Sequence, residues 1–215
     1  MSIRKLDLSK LLNGKTIALI GKPGCGKTSV VLDYLKILDI PNGMVLVTDS
    51  RDRSRYNRYV ENSCIFHRYL PEAISVFMDR QESLIDSGAI DTRSFIIFDG
   101  LEHDIRADPV LENLLYNSHR LNITIILTVQ EPYGISSKIR MGIDYVFLFQ
   151  DILRQNRKRL YEHYGRIFSN FVLFEQAMQR YCQDYGCLCI NRGVTFGEMV
   201  DLVFWYRADV DHPSI

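Results

Sequence analysis

The chain has 215 residues, of which 47% are hydrophobic and 24% are charged, and its 26 basic side chains balance 26 acidic ones. This composition is ordinary for a globular fold, and the length is sufficient for one large domain with a sizeable core. Because the net charge is zero, any nucleic-acid partner must be held by a local basic surface and not by the field of the whole domain. The longest apolar runs are strand-sized and fall short of the roughly 18 residues of a membrane span.

The chain is expected to form a single domain, residues 1–215. It contains no internal repeat and no linker rich in Pro, Gly or Ser. Its first residues lack the apolar segment of a signal peptide, which favours an intracellular protein. The five cysteines are an odd number, which indicates reduced thiols and not a disulfide framework.

The first strong element is a short apolar run, Thr16–Ile20, which predicts a buried parallel strand. The residues that follow match the motif G-x-x-x-x-G-K-[ST] in full: Gly21, Lys22, Pro23, Gly24, Cys25, Gly26, Lys27 and Thr28. Glycines allow backbone N–H groups to face phosphate oxygens, and the start of a helix favours anions. Lys27 is expected to reach the β- and γ-phosphates and Thr28 to ligate Mg²⁺. The loop therefore predicts binding of a nucleoside triphosphate, with ATP and Mg²⁺ as the expected cofactors.

Strand-like and helix-like segments alternate along the rest of the chain. After Thr16–Ile20, strands are predicted at 44–47, 64–66, 95–98, Ile123–Val129, 144–149, 188–190 and 202–205. Helices are predicted from 27 to 38, from 71 to 87, from 109 to 115 and within 152–181. This alternation predicts an α/β fold, a P-loop NTPase with a mostly parallel central sheet flanked by helices. Binding sites in such folds lie at the carboxyl ends of the strands.

Asp99 ends the apolar segment 95–98 and is expected to hold Mg²⁺ through water. Two strand-like segments lie between the phosphate loop and this strand, which indicates the RecA-like class of ATPases with an additional strand between the two nucleotide-binding strands. Such enzymes usually place an acidic residue directly after the metal aspartate to polarise the attacking water, and here that position is Gly100. Glu102 and Asp104 follow closely, and we take Glu102 as the candidate catalytic acid.

Gln130 follows the apolar strand Ile123–Val129 and is a candidate sensor of the γ-phosphate or the attacking water. A glutamine that only caps the strand is the alternative. Arg120 and Arg140 flank this strand and are candidate arginine fingers, which often come from a neighbouring subunit. Since Arg120 precedes the strand, it is expected at the opposite end of the sheet from its own nucleotide, and its use requires a ring. A solvated surface arginine is the alternative for both.

Together these motifs resemble the genome-packaging ATPases of nucleocytoplasmic large DNA viruses, which belong to the FtsK–HerA superfamily of DNA-pumping ATPases. The resemblance rests on the phosphate loop, Phe98-Asp99, Asn122-Ile123-Thr124 leading to Thr128-Val129-Gln130, and Ile139-Arg140-x-x-x-Asp144. It spans roughly residues 15–191. The chain departs from the pattern of the family at Gly100.

The resemblance implies ATP hydrolysis by a homo-oligomeric ring, a pentamer or hexamer, that drives double-stranded DNA into a preformed capsid. The implied partners are double-stranded DNA, the other subunits and capsid or vertex proteins, with no membrane span. The implied location is the virion and the viral assembly sites in the host cytoplasm.

Two basic clusters are candidate DNA-contacting surfaces. Residues 50–59 contain four arginines and two tyrosines, and residues 154–159 form the second cluster. A solvated charge run or a salt-bridged helix face is the alternative for either cluster.

Two other functions remain open from the residues alone. A nucleotide or nucleoside kinase is also a small P-loop protein, although the chain has no obvious arginine-rich lid. A weakly hydrolysing ATP-binding switch or scaffold is favoured by Gly100, which stands where a catalytic acid is usual.

Overall fold

Strands and helices alternate along the computed structural model, which describes residues 2–11, 13–40, 42–47, 53–101, 108–131, 134–194 and 197–209. The strands are β1 (Arg4–Lys5), β2 (Thr16–Ile20), β3 (Asn42–Val47), β4 (Ile65–Phe66), β5 (Ser94–Asp99), β6 (Ile123–Val129), β7 (Tyr145–Phe149), β8 (Gly186–Asn191) and β9 (Val203–Arg207). The helices are α1 (Lys27–Leu38), α2 (Arg53–Tyr56), α3 (Pro71–Asp86), α4 (Pro109–Asn117), α5 (Ser137–Met141), α6 (Arg154–His163), α7 (Phe171–Tyr181) and α8 (Met199–Leu202).

Within the described residues the strands form one nine-stranded sheet in the order β1-β9-β8-β7-β2-β6-β5-β3-β4. β8 runs antiparallel to both of its neighbours, and the other neighbouring pairs are parallel. β6 lies between β2 and β5, so an additional strand separates the strand before the phosphate loop from the strand that ends in Asp99. The predicted fold class is confirmed.

Side chains of the central strands point alternately into two apolar layers, one on each face of the sheet. In β2, Ala18 and Ile20 contribute to one layer and Ile17 and Leu19 to the other, as the period of two in a strand requires. α1 covers the layer that contains Ile17 and Leu19, whereas α3, α4 and α7 cover the opposite layer. Because both faces are covered, the strands are continuous apolar runs and not alternating ones.

Helix boundaries follow local capping signals. The Asp108 carboxylate accepts hydrogen bonds from two backbone N–H groups in the first turn of α4, and Pro109 is the first residue of that helix. This confirms the predicted start. The helical region predicted at 152–181 consists of two helices, because the Asn170 side chain caps a second one, α7. In the described part of the chain, no helix combines the length and the apolar character needed to cross a membrane.

The short outer strands are the elements that the hydrophobic pattern of the sequence predicts least well. β4 is limited to two residues of the predicted segment 64–66, since a 3-10 turn occupies the residues before it. β1 is not predicted, because a strand of two residues is too short to show a hydrophobic pattern. It is defined by parallel pairing with β9, in which Arg4 lies opposite Phe204.

Candidate active site

The phosphate loop leaves the carboxyl end of β2 and enters α1, a helix of 12 residues. The Gly21 N–H donates to the carbonyl of Val129 at 3.0 Å, which fixes the start of the loop against the end of β6. Gly26 precedes the helix with φ 102°, a left-handed conformation that favours glycine. The loop therefore presents its backbone at a helix N-terminus, where N–H groups and the helix dipole favour anions.

Lys27 is the first residue of α1, and its ammonium group folds back over the loop. Nζ donates to the carbonyls of Gly21 and of Lys22, the latter at 3.0 Å. Burial raises the pKa of the neighbouring Cys25 thiol, more than the Lys27 charge lowers it. The thiol is therefore protonated at neutral pH and adds no negative charge to the loop.

Asp99 lies at the carboxyl end of β5, with its carboxylate held by two hydroxyl groups. The Thr128 hydroxyl donates to Oδ1 at 2.6 Å, and the Tyr56 hydroxyl donates to Oδ2 at 2.7 Å. Thr128 also accepts the N–H of Gly100 at 3.0 Å. Carboxylate and hydroxyl oxygens are the ligands that Mg²⁺ prefers, so the Asp99 carboxylate and the Thr28 hydroxyl fit a magnesium site in their chemistry.

Thr128 and Tyr56 contact Asp99 but are not among the candidate site residues, although Thr128 lies in a segment that carries the resemblance. Thr128 is one of two threonines in an otherwise apolar strand, and its position next to the carboxyl end is the signal that could have indicated it. Tyr56 is fully buried, although it lies within the arginine-rich segment 50–59, whose composition suggests a surface.

Gly100 has φ 78°, in the left-handed region where residues with a Cβ are strained. The turn after Asp99 thus accounts for glycine at the position where an acidic residue was expected. The candidate acid Glu102 and the alternative Asp104 lie outside the described residues.

Gln130 leaves β6 beside the start of the phosphate loop. Val129 pairs with Ile20, the last residue of β2, and the preceding residue of β6 pairs with Asp99. The amide is exposed at this end of the sheet. The structure therefore brings Asp99, Thr128 and Gln130 together on one side of the loop, which we call the metal side.

The opposite side of the loop, which we call the β7 side, is formed by Phe149, Asp151 and Tyr185. A Cβ on Gly26 would lie 3.2 Å from the Cβ of Tyr185 and 3.7 Å from the ring of Phe149. The Asp151 carboxylate is buried and lies 3.9 Å from the ammonium of Lys22. The sequence motifs do not identify this side.

The two candidate finger arginines lie away from the loop of their own chain. Arg120 precedes β6, and its exposed guanidinium contacts Glu82 Oε1 at 2.6 Å. Arg140 lies on α5, and its backbone carbonyl accepts from the guanidinium of Arg192 at 2.7 Å. Since Arg192 follows β8 next to the first residue of β7, both candidates lie at the amino-terminal end of the parallel strands, opposite the phosphate loop.

Both basic clusters have exposed charges, and the second also contains an arginine that is largely buried. In the first cluster, Arg55 and Arg58 are exposed on either side of the buried Tyr56, and residues 50–52 lie outside the described residues. In the second, the Arg157 side chain is only 13% exposed and contacts Glu175 at 2.8 Å. Arg157 therefore links α6 to α7, which favours the alternative of a salt-bridged helix face for this residue.

Related sequences come from large DNA viruses. The chain is 26% identical over 218 residues to the uncharacterized protein L437 of Acanthamoeba polyphaga mimivirus, covering 96% of this chain and 77% of that protein. It is 27% identical over 205 residues to the uncharacterized protein 088R of invertebrate iridescent virus 3, covering 94% of this chain and 78% of the relative. No family model matches the chain.

Solved structures with the same fold include viral genome-packaging enzymes and a conjugation coupling protein. The DNA-packaging ATPase B204 of Sulfolobus turreted icosahedral virus is 16% identical, with a TM-score of 0.63 over 93% of this chain and 100% of B204. The genome-packaging NTPase B204 of Sulfolobus turreted icosahedral virus 2, in complex with AMPPCP, is 11% identical with a TM-score of 0.65, covering 92% of this chain and 99% of that one. The conjugation coupling protein TcpA of pCW3 is 13% identical with a TM-score of 0.59, over 94% of this chain and 61% of TcpA. The fold predicted from the motifs is thus shared with ATPases of the FtsK–HerA type.

Proposed function

We propose that this chain, which has the fold of FtsK–HerA-type P-loop ATPases and relatives among nucleocytoplasmic large DNA viruses, is an ATP-driven translocase that packages double-stranded DNA into a viral capsid. The observation that carries the proposal is the convergence of Lys27, Asp99 and Gln130 at one end of an additional-strand sheet. The same fold extends over the whole length of a viral DNA-packaging ATPase. In the proposal the protein acts in the virion and at assembly sites in the host cytoplasm, with capsid or vertex proteins as partners.

In the proposed mechanism the backbone of the phosphate loop binds the triphosphate of ATP, and Lys27 neutralises charge on the β- and γ-phosphates. Thr28 and, through water, Asp99 would hold Mg²⁺, which when bound supplies positive charge to the phosphate oxygens. The hydroxyl groups of Thr128 and Tyr56 fix the direction of the Asp99 carboxylate. This preorganisation lowers the cost of placing charge in the transition state.

Water activation is the step for which this chain departs from related enzymes. In the proposal Gln130 orients the attacking water. Glu102 is the proposed general base, because the residue after Asp99 is Gly100, in a left-handed turn, and not an acid. A weakly hydrolysing switch is the second candidate function, and Gly100 is the observation that favours it. Single-turnover hydrolysis measured together with oligomer size in ATP separates a slow switch from a motor.

A ring of subunits accounts for the positions of the candidate fingers. Arg120 and Arg140 lie at the end of the sheet opposite the chain's own phosphate loop, so each can serve only the site of a neighbour. The proposed assembly is a homo-oligomeric ring, a pentamer or hexamer. The exposed Arg55 and Arg58 supply a local basic surface for DNA phosphates in a domain of zero net charge.

The proposal is tested by the ATPase rate as a function of protein concentration, with and without double-stranded DNA. The specific rate is expected to rise as the ring assembles and to rise further with DNA. Lys27→Ala is expected to abolish hydrolysis with and without DNA. Lys10→Ala removes an exposed lysine outside the loop and is the matched control. Phosphoryl transfer to a nucleoside monophosphate without any effect of DNA would instead identify a kinase.

Mixing of inactive subunits tests the shared site directly. Subunits with Lys27→Ala keep the two candidate finger arginines. Subunits with both Arg120→Ala and Arg140→Ala keep an intact phosphate loop. If fingers act between subunits, a mixture of the two variants recovers part of the activity that each lacks alone. Activity of the double arginine variant equal to wild type would exclude both arginines as fingers.

A further inference from the structure

The order of the strands determines on which side of the loop the base of a bound nucleotide lies. Asp99 and Gln130 face the terminal phosphate in the proposed mechanism. Asp99 ends β5 and Gln130 follows β6, and both strands lie on one side of β2. β7 and β8 lie on the other side of β2. In the proposed mechanism the γ-phosphate is directed to the metal side, so the nucleoside is expected to extend towards the β7 side.

Tyr185 is an aromatic residue that the fold brings to this side with its side chain accessible. β8 begins beside the end of β7, where Cys187 lies opposite Phe149, and the turn before β8 is thereby packed against the loop. A Cβ on Gly26 would lie 3.2 Å from Tyr185 Cβ and 3.5 Å from its carbonyl oxygen. Tyr185 is nevertheless 57% exposed, whereas Phe149 is buried.

The backbone at Tyr185 is held in a conformation that residues with a Cβ rarely adopt. Asp184 has φ 48° and Tyr185 has φ 64°. The turn is braced at Gln183, whose carbonyl accepts from the N–H of Gly186 at 2.8 Å and from the guanidinium of Arg207 at 3.1 Å. Backbone strain persists where the surrounding structure fixes it, and it is concentrated at functional sites. The turn thus holds an exposed aromatic residue at a fixed point beside the loop.

We propose that Tyr185 stacks against the base of the bound nucleotide and forms a base subsite of the active site. The inference rests on the proposed function, because it assumes that the loop binds a nucleoside triphosphate. Every base has a π face, so stacking on an aromatic ring strengthens binding typically by about 5- to 150-fold and tolerates different bases. Purine nucleotides are expected to bind more tightly than pyrimidine nucleotides, because the larger ring system stacks over a larger area.

The test compares ATP with inorganic tripolyphosphate, which occupies the phosphate loop but has no base. Tyr185→Gly removes the ring and suits the left-handed backbone, so the variant is expected to fold at least as well as the wild type. Its dissociation constant for ATP is expected to rise about 10-fold or more, with no change for tripolyphosphate. Tyr185→Phe keeps the ring and is expected to bind ATP as the wild type does.

Tyr116→Ala is the matched control, because Tyr116 is an 88% exposed tyrosine on α4, and it should alter neither dissociation constant. The base subsite is overturned if Tyr185→Gly binds ATP as tightly as the wild type. It is equally overturned if that variant loses ATP and tripolyphosphate to the same degree, since the residue then acts through the shape of the loop. Failure of the wild type to bind either ligand would overturn the proposed function itself.

Discussion

The metal side and the β7 side of the phosphate loop are built in different ways. On the metal side, polar residues at the ends of β5 and β6 form a hydrogen-bonded group around Asp99. On the β7 side, the loop packs on the buried ring of Phe149 and on the turn that carries Tyr185. In the proposed function the first side acts on phosphate, and the second offers an aromatic surface to the base. Substitutions on the metal side should therefore change the rate of hydrolysis, and substitutions on the β7 side should change affinity.

Among substitutions on the metal side, the largest effect is expected for Asp99→Asn. Loss of the carboxylate charge removes a proposed magnesium ligand, and the rate of ATP hydrolysis should fall by roughly 10²- to 10³-fold. The dissociation constant for ATP without Mg²⁺ should stay within about threefold of the wild-type value, because the loop is unchanged. Asp91→Asn, which lies before the other end of β5 and is paired with Arg93, is the control. An equal loss in both variants would show that the effect is not specific to the metal side.

Thr128→Val should lower the rate by about tenfold, since valine has the shape of threonine but cannot donate to Asp99 or accept from Gly100. Thr124→Val is the matched variant on the same strand, because its buried hydroxyl accepts the N–H of Gly14 far from the loop. Both variants should lose similar stability in thermal unfolding. A rate that is equally low for the two would mean that Thr128 acts through the packing of β6 and not through Asp99.

Tyr56→Phe tests whether the arginine-rich segment is connected to the metal side. Loss of the hydroxyl frees Asp99 Oδ2, and we expect the Mg²⁺ concentration for half-maximal activity to rise about threefold, equivalent to ~0.6 kcal/mol. Tyr34→Phe removes another buried hydroxyl, one that has no hydrogen-bond partner among the described residues, and should leave the Mg²⁺ dependence unchanged. A matching shift in both variants would contradict the role given to Tyr56.

The two sides also differ in how far the sequence predicts them. Asp99 and Gln130 follow apolar strands directly, so a parallel sheet is sufficient to bring them to the phosphate loop. Tyr185 has no such signal, because its position depends on the antiparallel pairing of β8 with β7. Local patterns predict the strands and the loop, whereas the contacts of Tyr56 with Asp99 and of Tyr185 with Gly26 require the tertiary structure. The role of Glu102 stays a prediction.

Substitution of Gly100 is expected to have a small effect on stability, and it distinguishes backbone conformation from chemistry on the metal side. Gly100→Ala places a Cβ at φ 78°, which should lower the free energy of unfolding by about 1 kcal/mol and the melting temperature by roughly 2–4 °C. Gly88→Ala has nearly the same φ, 71°, with no atom within 4 Å of the added Cβ, so its stability loss should be similar. Only Gly100→Ala should also slow hydrolysis, because its N–H contacts Thr128. Equal rates for the two variants would mean that the turn after Asp99 can shift without disturbing the carboxylate.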